Sequence, residues 1–203
     1  YAFRKPSPLN GFDLFNYMAL IVCARARDYA EITFHKFADE LEAKDQAGQY
    51  AFGAAENEKH RVTWEGIAVW TYLGATFKGL KNQGSVMTGS AYPGLWSLVY
   101  TPGDLESMAE AYTNVYINTC GSNRYEEFYK VVSNSKSDGI VLHLNRSCKL
   151  MGLLNNEGAE YVNAKMGVPF VSFDGDQTDP RVFTQAQYET RVQALSEMMD
   201  NNN

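Results

Sequence analysis

Residues 138–149, DGIVLHLNRSCK, hold the thiol with the most suggestive setting in the chain. Ile140, Val141, Leu142 and Leu144 form an apolar run too short for a helix, which predicts a buried strand over 139–144. Asn145, Arg146 and Ser147 follow, then Cys148, and Lys149-Leu150-Met151 begins a helical pattern. That order puts a thiol between the carboxyl end of a strand and the first turn of a helix. Unpaired N–H groups and the positive end of the helix dipole there favour the thiolate, the form that binds metal. Open α/β sheets also place their ligands at the carboxyl ends of strands. The alternative is a buried structural cysteine.

Other predicted strand ends deliver Glu65-Gly66, Thr88-Gly89-Ser90 and Asp174-Gly175-Asp176. A Cys–His nucleophile would need a histidine beside Cys148, and His143 lies five residues back, inside the strand. Glu65, Asp174 and Asp176 offer hard oxygen ligands for a divalent cation, although acidic turns after strands more often cap the next helix. Cys23, Cys120 and Cys148 have no C-x-x-C spacing, so the chain alone cannot build a four-cysteine zinc or iron–sulfur site. Cys23 is expected as a small core residue on a helical stripe, and His35 as a surface residue. Spacing alone leaves the role of Cys148 open.

These residues need elements to hold them. Residues 12–44 predict either one long helix or two broken near Asp28, with Phe15, Ala19, Cys23, Ala26, Ala30, Phe34, Phe37 and Leu41 as the apolar stripe. Strands are expected at 61–65, 85–87, 139–144 and 168–173. Helices are expected at 69–80, from Thr101 as N-cap with Leu105, Met108, Ala109, Tyr112 and Tyr116 inward, and from Ser122 with Tyr125, Phe128 and Val132 inward. Two more are expected, from Lys149 to about Lys165 with Gly167 as the stop, and after the Thr184/Gln187 capping box. The alternation predicts an α/β fold. Its core is a four-stranded, mostly parallel, flavodoxin- or Rossmann-like sheet with helices on both faces, preceded by a long helical arm. The expected division is 1–59 as linker and arm and 60–203 as the α/β domain.

Composition narrows the function classes. The 203 residues are 45% hydrophobic, which suffices for a sizeable core. A net charge of −6 without basic clusters argues against nucleic acid as a partner. No apolar run has the length of a membrane span, and no signal-peptide pattern is present. Three widely spaced cysteines do not make a secreted disulfide framework, so a reducing cytoplasm is expected. The Pro-containing start, YAFRKPSP, lacks an initiating Met and looks like a linker cut from something longer.

Four segments carry a resemblance: GIAVWTYLG (66–74), MTGSAYPGLW (87–96), LHLNRSCKLMG (142–152) and FDGDQTDPRVFTQAQYETRVQALSEMM (173–199). Together they resemble the C-terminal half of the α-type subunit of the 2-hydroxyacyl-CoA dehydratase family, and more distantly the benzoyl-CoA reductases. The resemblance implies a [4Fe-4S] cluster held by three cysteines, of which only Cys148 has a counterpart here. It implies dehydration of an (R)-2-hydroxyacyl-CoA to a 2-enoyl-CoA in amino-acid fermentation, through a ketyl radical made by one electron entering the thioester carbonyl. It also implies a homologous β subunit, an ATP-dependent iron–sulfur activator protein, and the cytoplasm of an anaerobic bacterium. Asn145, Arg146, Ser147 and Asp174 are the candidates to hydrogen-bond around the cluster or face the substrate. Trp64, Trp70 and Trp96 are candidates for an acyl pocket, a subunit interface or ordinary core. Two other readings remain: a benzoyl-CoA reductase-type subunit, and a non-catalytic module for subunit contact.

Overall fold

The computed structural model describes residues 1–202. Helix α1 (Gly11–Cys23) starts where Asn10 accepts a hydrogen bond from the Phe12 amide. It is followed by α2 (Asp28–Gln46), so of the two alternatives for residues 12–44 the pair broken near Asp28 is the one formed. Then come β1 (His60–Glu65), α3 (Leu73–Asn82), β2 (Ser85–Ser90) and the short α4 (Ala91–Gly94). Next are α5 (Leu105–Thr113), α6 (Gly121–Asn134), β3 (Gly139–Asn145) and the single turn α7 (Lys149–Gly152). The last elements are α8 (Asn155–Met166), β4 (Phe170–Gly175) and α9 (Gln185–Asn202).

The strands form one sheet in the order β2-β1-β3-β4, and every pairing is parallel. Side-chain alternation assigns its two faces. Val62, Trp64, Val141, Val171 and Phe173 pack with Phe12, Phe15 and Met18 of α1, Leu80 of α3, and Tyr188, Val192, Leu195 and Met199 of α9. On the other face Ile140 and Leu142 pack with Phe128 and Val132 of α6 and Ala159 and Val162 of α8. Burying each of these aromatic or aliphatic side chains contributes roughly 1.5–3 kcal/mol. The order is that of the first four strands of a flavodoxin-like sheet. The chain winds outward in opposite directions from β1 and β3, and the carboxyl ends of such a strand pair are where open α/β sheets place their ligands.

Several local expectations change. The buried stripe of α1 is Phe12, Phe15 and Met18, while Ala19 and Cys23 face solvent. Cys23 is therefore not a core residue: the helix is rotated to point its aromatic side chains at Trp64. β4 begins two residues later than predicted, because Pro169 has no N–H to give a ladder. β2 runs on to Ser90, with a register shift opposite Val62/Thr63. Asp104, not Thr101, caps α5, accepting from the Glu106 and Ser107 amides, and α5 buries none of its residues. The helix expected from Lys149 is broken into α7 and α8. Gly167 ends α8 in the left-handed conformation, as predicted.

Candidate functional site

Cys148 is the N-cap of α7, directly outside the carboxyl end of β3 and next to the point where strand order reverses. Its thiol is free and half-buried. It packs at the edge of a small apolar group made by Ile67 after β1, Leu95, and Met151 in α7. α7 has only four residues, so few peptide dipoles add there.

The turn before Cys148 is locked to the turn after β4. Asn145 Oδ1 accepts from the amides of Ser147 and Gln177. The Ser147 hydroxyl donates to Asp176, whose other oxygen accepts from the Thr178 and Asp179 amides. The Ser147 hydroxyl first, and these amides next, hold the Asp176 carboxyl far below the usual carboxylate range. Arg146 and Asp174 instead point outward as an exposed pair, Nε to Oδ1 3.6 Å. Of the two acidic residues in this turn, Asp176 is the one that organises the Cys148 loop.

Glu65 is fully buried beneath the same rim. Tyr116 donates its hydroxyl to Glu65 Oε1 at 2.8 Å, and Arg124 Nη2 stands 3.9 Å from that oxygen. Burial dominates and pushes the carboxyl up to about 7, against the opposing pull of Tyr116 and Arg124. Glu65, Asp174 and Asp176 do not converge. Among the described residues no group of three or more His, Cys, Asp or Glu is placed to hold a metal ion. A hard-cation site is thus not formed.

His143 is buried on the α1, α3 and α9 face, its ring stacked on Phe173 at 5.1 Å between centroids. Nδ1 donates to the Ile67 carbonyl at 2.5 Å. Nε2 lies against Gly175, where a Cβ would stand 2.5 Å away. Burial lowers its pKa, so the ring stays neutral. Nδ1 is taken by the Ile67 carbonyl and Nε2 is buried without a hydrogen-bond partner, so neither nitrogen is bonded to Cys148 and no Cys–His pair forms.

Trp64 belongs to the core. Trp70 and Trp96 border an open groove of about 440 Å³, lined also by Phe15, Met18, Val22 and Tyr92. Tyr92 and Trp96 also touch the apolar group that carries Cys148, so the groove and the thiol share a wall. Tyr116, Arg124 and Asn155 are site residues that sequence reasoning missed. Arg124 did leave a signal, a cation on the inward i, i+4, i+8 stripe of α6 with Phe128 and Val132.

Fold and site define a doubly wound parallel α/β unit that presents one free thiol at its strand-order reversal. The residues fit a single ligand of a metal group: one half-exposed sulfur on a turn fixed by Asn145, Ser147 and Asp176, in a chain whose described residues assemble no group of three or more His, Cys, Asp or Glu placed to hold a metal ion. The family described as "2-hydroxyglutaryl-CoA dehydratase, D-component" matches residues 1–199, and the chain belongs to it. It is 62% identical over 200 residues to lactoyl-CoA dehydratase subunit alpha of Anaerotignum propionicum, covering 98% of this chain and 47% of that protein. Identity to the (R)-2-hydroxyisocaproyl-CoA dehydratase alpha subunit of Clostridioides difficile is 45% over 198 residues, covering 97% and 48%. A benzoyl-CoA reductase polypeptide of Thauera aromatica is more distant, 25% identical over 154 residues, covering 73% and 36%. The chain spans about half the length of the two dehydratase relatives. Among the described residues no helix is long and apolar enough to cross a membrane.

Proposed function

We propose that this chain is the C-terminal part of the α-type subunit of an (R)-2-hydroxyacyl-CoA dehydratase, and that Cys148 is one of three cysteine ligands of a 4Fe-4S cluster. The similarity over 98% of the chain to a lactoyl-CoA dehydratase alpha subunit carries this reading. The free thiol at the strand-order reversal supports it. When bound, the cluster would supply one electron to the substrate thioester, which makes loss of the 2-hydroxyl possible. This chain's own part is to hold one sulfur. Asn145, Ser147 and Asp176 fix the turn that carries it, and Ile67, Leu95 and Met151 shield it on one side. Asn145, Arg146, Ser147 and Asp174 remain the residues proposed to border the cluster and substrate. The remaining ligands, a homologous β subunit and an ATP-dependent activator belong to the proposal as partners outside this chain, in the cytoplasm of an anaerobe.

Anaerobic iron and sulfide analysis tests the assignment. Cys148→Ser in the full-length subunit is expected to lose the cluster, and a variant with unchanged iron and spectrum would remove Cys148 as a ligand. The isolated 203-residue chain is expected to hold no intact cluster. Lactoyl-CoA is the first thioester to assay, given the 62% relative. Turnover of an aromatic thioester instead would favour the benzoyl-CoA reductase-type reading. A non-catalytic contact module is the second reading, favoured by the open Trp70/Trp96 groove.

A further inference from the structure

A buried cation is tied to the turn that Cys148 caps. Arg124 on α6 is 3% exposed. Its Nη1 donates to the Leu150 carbonyl at 2.5 Å, and its Nη2 donates to Asn155 Oδ1 at 3.0 Å and lies 3.9 Å from Met151 Sδ. Leu150 and Met151 form the turn that Cys148 caps, and Asn155 opens the next helix. The guanidinium stands 4.7 Å over the Tyr116 ring, whose hydroxyl is bonded to Glu65. Beyond α6 the guanidinium therefore grips the segments just after Cys148 and rests on an aromatic face.

Packing alone does not call for this arrangement. Burying a guanidinium costs several kcal/mol unless it is well paired. Its nearest carboxylate oxygen is 3.9 Å away, and Arg124 Nε, Glu65 Oε2 and Asn155 Nδ2 are buried with no hydrogen-bond partner. The neighbouring α6–α8 contact is made by Phe128, Val132, Ala159 and Val162, so an apolar residue would suit that seam as well. What only a planar guanidinium supplies is a rigid fork between the Leu150 carbonyl and Asn155, with a permanent charge on the turn that Cys148 caps.

We infer that Arg124, braced by Tyr116 and Asn155, is a positioning residue for Cys148: it sets the turn that aims the sulfur, and its charge favours the reduced form of the metal group bound there. The inference rests on the ligand reading given under the proposed function. Charge near a cluster and the geometry of its ligands are the levers by which protein sets a reduction potential.

The test uses the full-length subunit assembled with its β partner and purified without oxygen. Cys148→Ser, Arg124→Lys, Arg124→Gln and Asn155→Ala are compared by iron content, electron paramagnetic resonance of the reduced protein, redox titration and thermal melting. The signal lost in Cys148→Ser identifies the cluster concerned. Arg124→Gln is expected to shift the resonance of that cluster and move its midpoint to a more negative potential, or to lose iron from a folded subunit. Arg124→Lys should move it less. A folded Arg124→Gln protein with full iron, an unshifted resonance and an unmoved potential would reduce Arg124 to a packing residue. Should Arg124→Gln not fold, Asn155→Ala decides, because it frees one arm of the fork: a shifted resonance supports the inference and an unshifted one overturns it. If Cys148→Ser keeps every signal, the ligand reading itself falls. If it loses one signal that the other variants leave unmoved, the ligand reading stands and the positioning role falls.

Discussion

At the scale of single residues, the rim of this sheet is controlled by carboxyl groups held in opposite states. Asp176 gathers a hydroxyl and two amides and stays ionised, whereas Glu65 is buried with one oxygen unpartnered and takes up its proton near neutrality. The consequence for stability follows from linkage. Glu65 titrates at about 7 in the folded chain and at the ordinary 4.5 when unfolded, so between those values the native state holds the extra proton. Stability contributed by that proton is full below about 4.5 and is lost as pH rises through 7, a difference on the order of 3 kcal/mol. Glu65→Gln keeps an acceptor for Tyr116 and removes the titration. Urea unfolding at pH 5 and pH 8 should show the wild type losing stability relative to this variant as pH rises. Parallel pH dependences would refute the buried-proton account. His143 works in the other direction, since its depressed pKa makes the native state lose stability as pH falls below the ordinary value of 6.5, so only the difference between wild type and variant isolates Glu65.

At the scale of elements, two features set how the site is framed. Arg61 on β1 is fully buried, paired with Glu58 at 2.6 Å, and donates to the carbonyls of Ala2 and Arg4. Glu58 also accepts from the Ser7 amide. The pair thus fastens the first residues of the chain to the amino end of the sheet, opposite Cys148. Glu58→Ala leaves a buried guanidinium unpaired and should cost about 3–5 kcal/mol, with faster amide exchange over residues 1–8. Unchanged exchange there would mean the segment is held by other contacts. The second feature is the end of α8. Gly167 has φ +71° with open space where a Cβ would lie, so Gly167→Ala meets backbone strain alone and should lower stability by about 1 kcal/mol, read from the thermal midpoint. A loss several times larger would point to a contact that the geometry does not show.

At the scale of the whole molecule, the two faces of the sheet are covered but the carboxyl-end rim is not. Trp70 is 38% exposed, Val99 91%, Leu105 74%, and Leu150 and Leu153 beside Cys148 are 62% and 68%. Trp64 by contrast is fully buried. In the isolated chain, Trp70→Phe should lower the acrylamide-quenchable fraction of the fluorescence, with half-buried Trp96 in the same groove supplying what is left. A quenchable fraction that does not fall would show Trp70 to be shielded in solution.

Much of the frame was legible in the order of residues. Strand-length apolar runs alternating with helical stripes specify a parallel sheet with both faces covered, because period and length are local properties. The position of Cys148 just after β3 and the stop at Gly167 are local in the same sense, whereas the order of residues left open whether 12–44 is one helix or two. Everything that depends on which way a side chain turns was decided by tertiary packing. α1 is rotated by its aromatic contacts with Trp64, which turns Cys23 to solvent. Asp176 rather than Asp174 braces the cysteine turn because the chain leaves the strand after Gly175: alternation alone would put both carboxylates on one side, and the turn swings Asp176 inward while Asp174 stays exposed. Arg124, Tyr116, Glu65 and Asn155 come from four separated segments, and only the crossing of α6 beneath the rim brings them together. Their meeting depends on distances through space, which no spacing along the chain encodes.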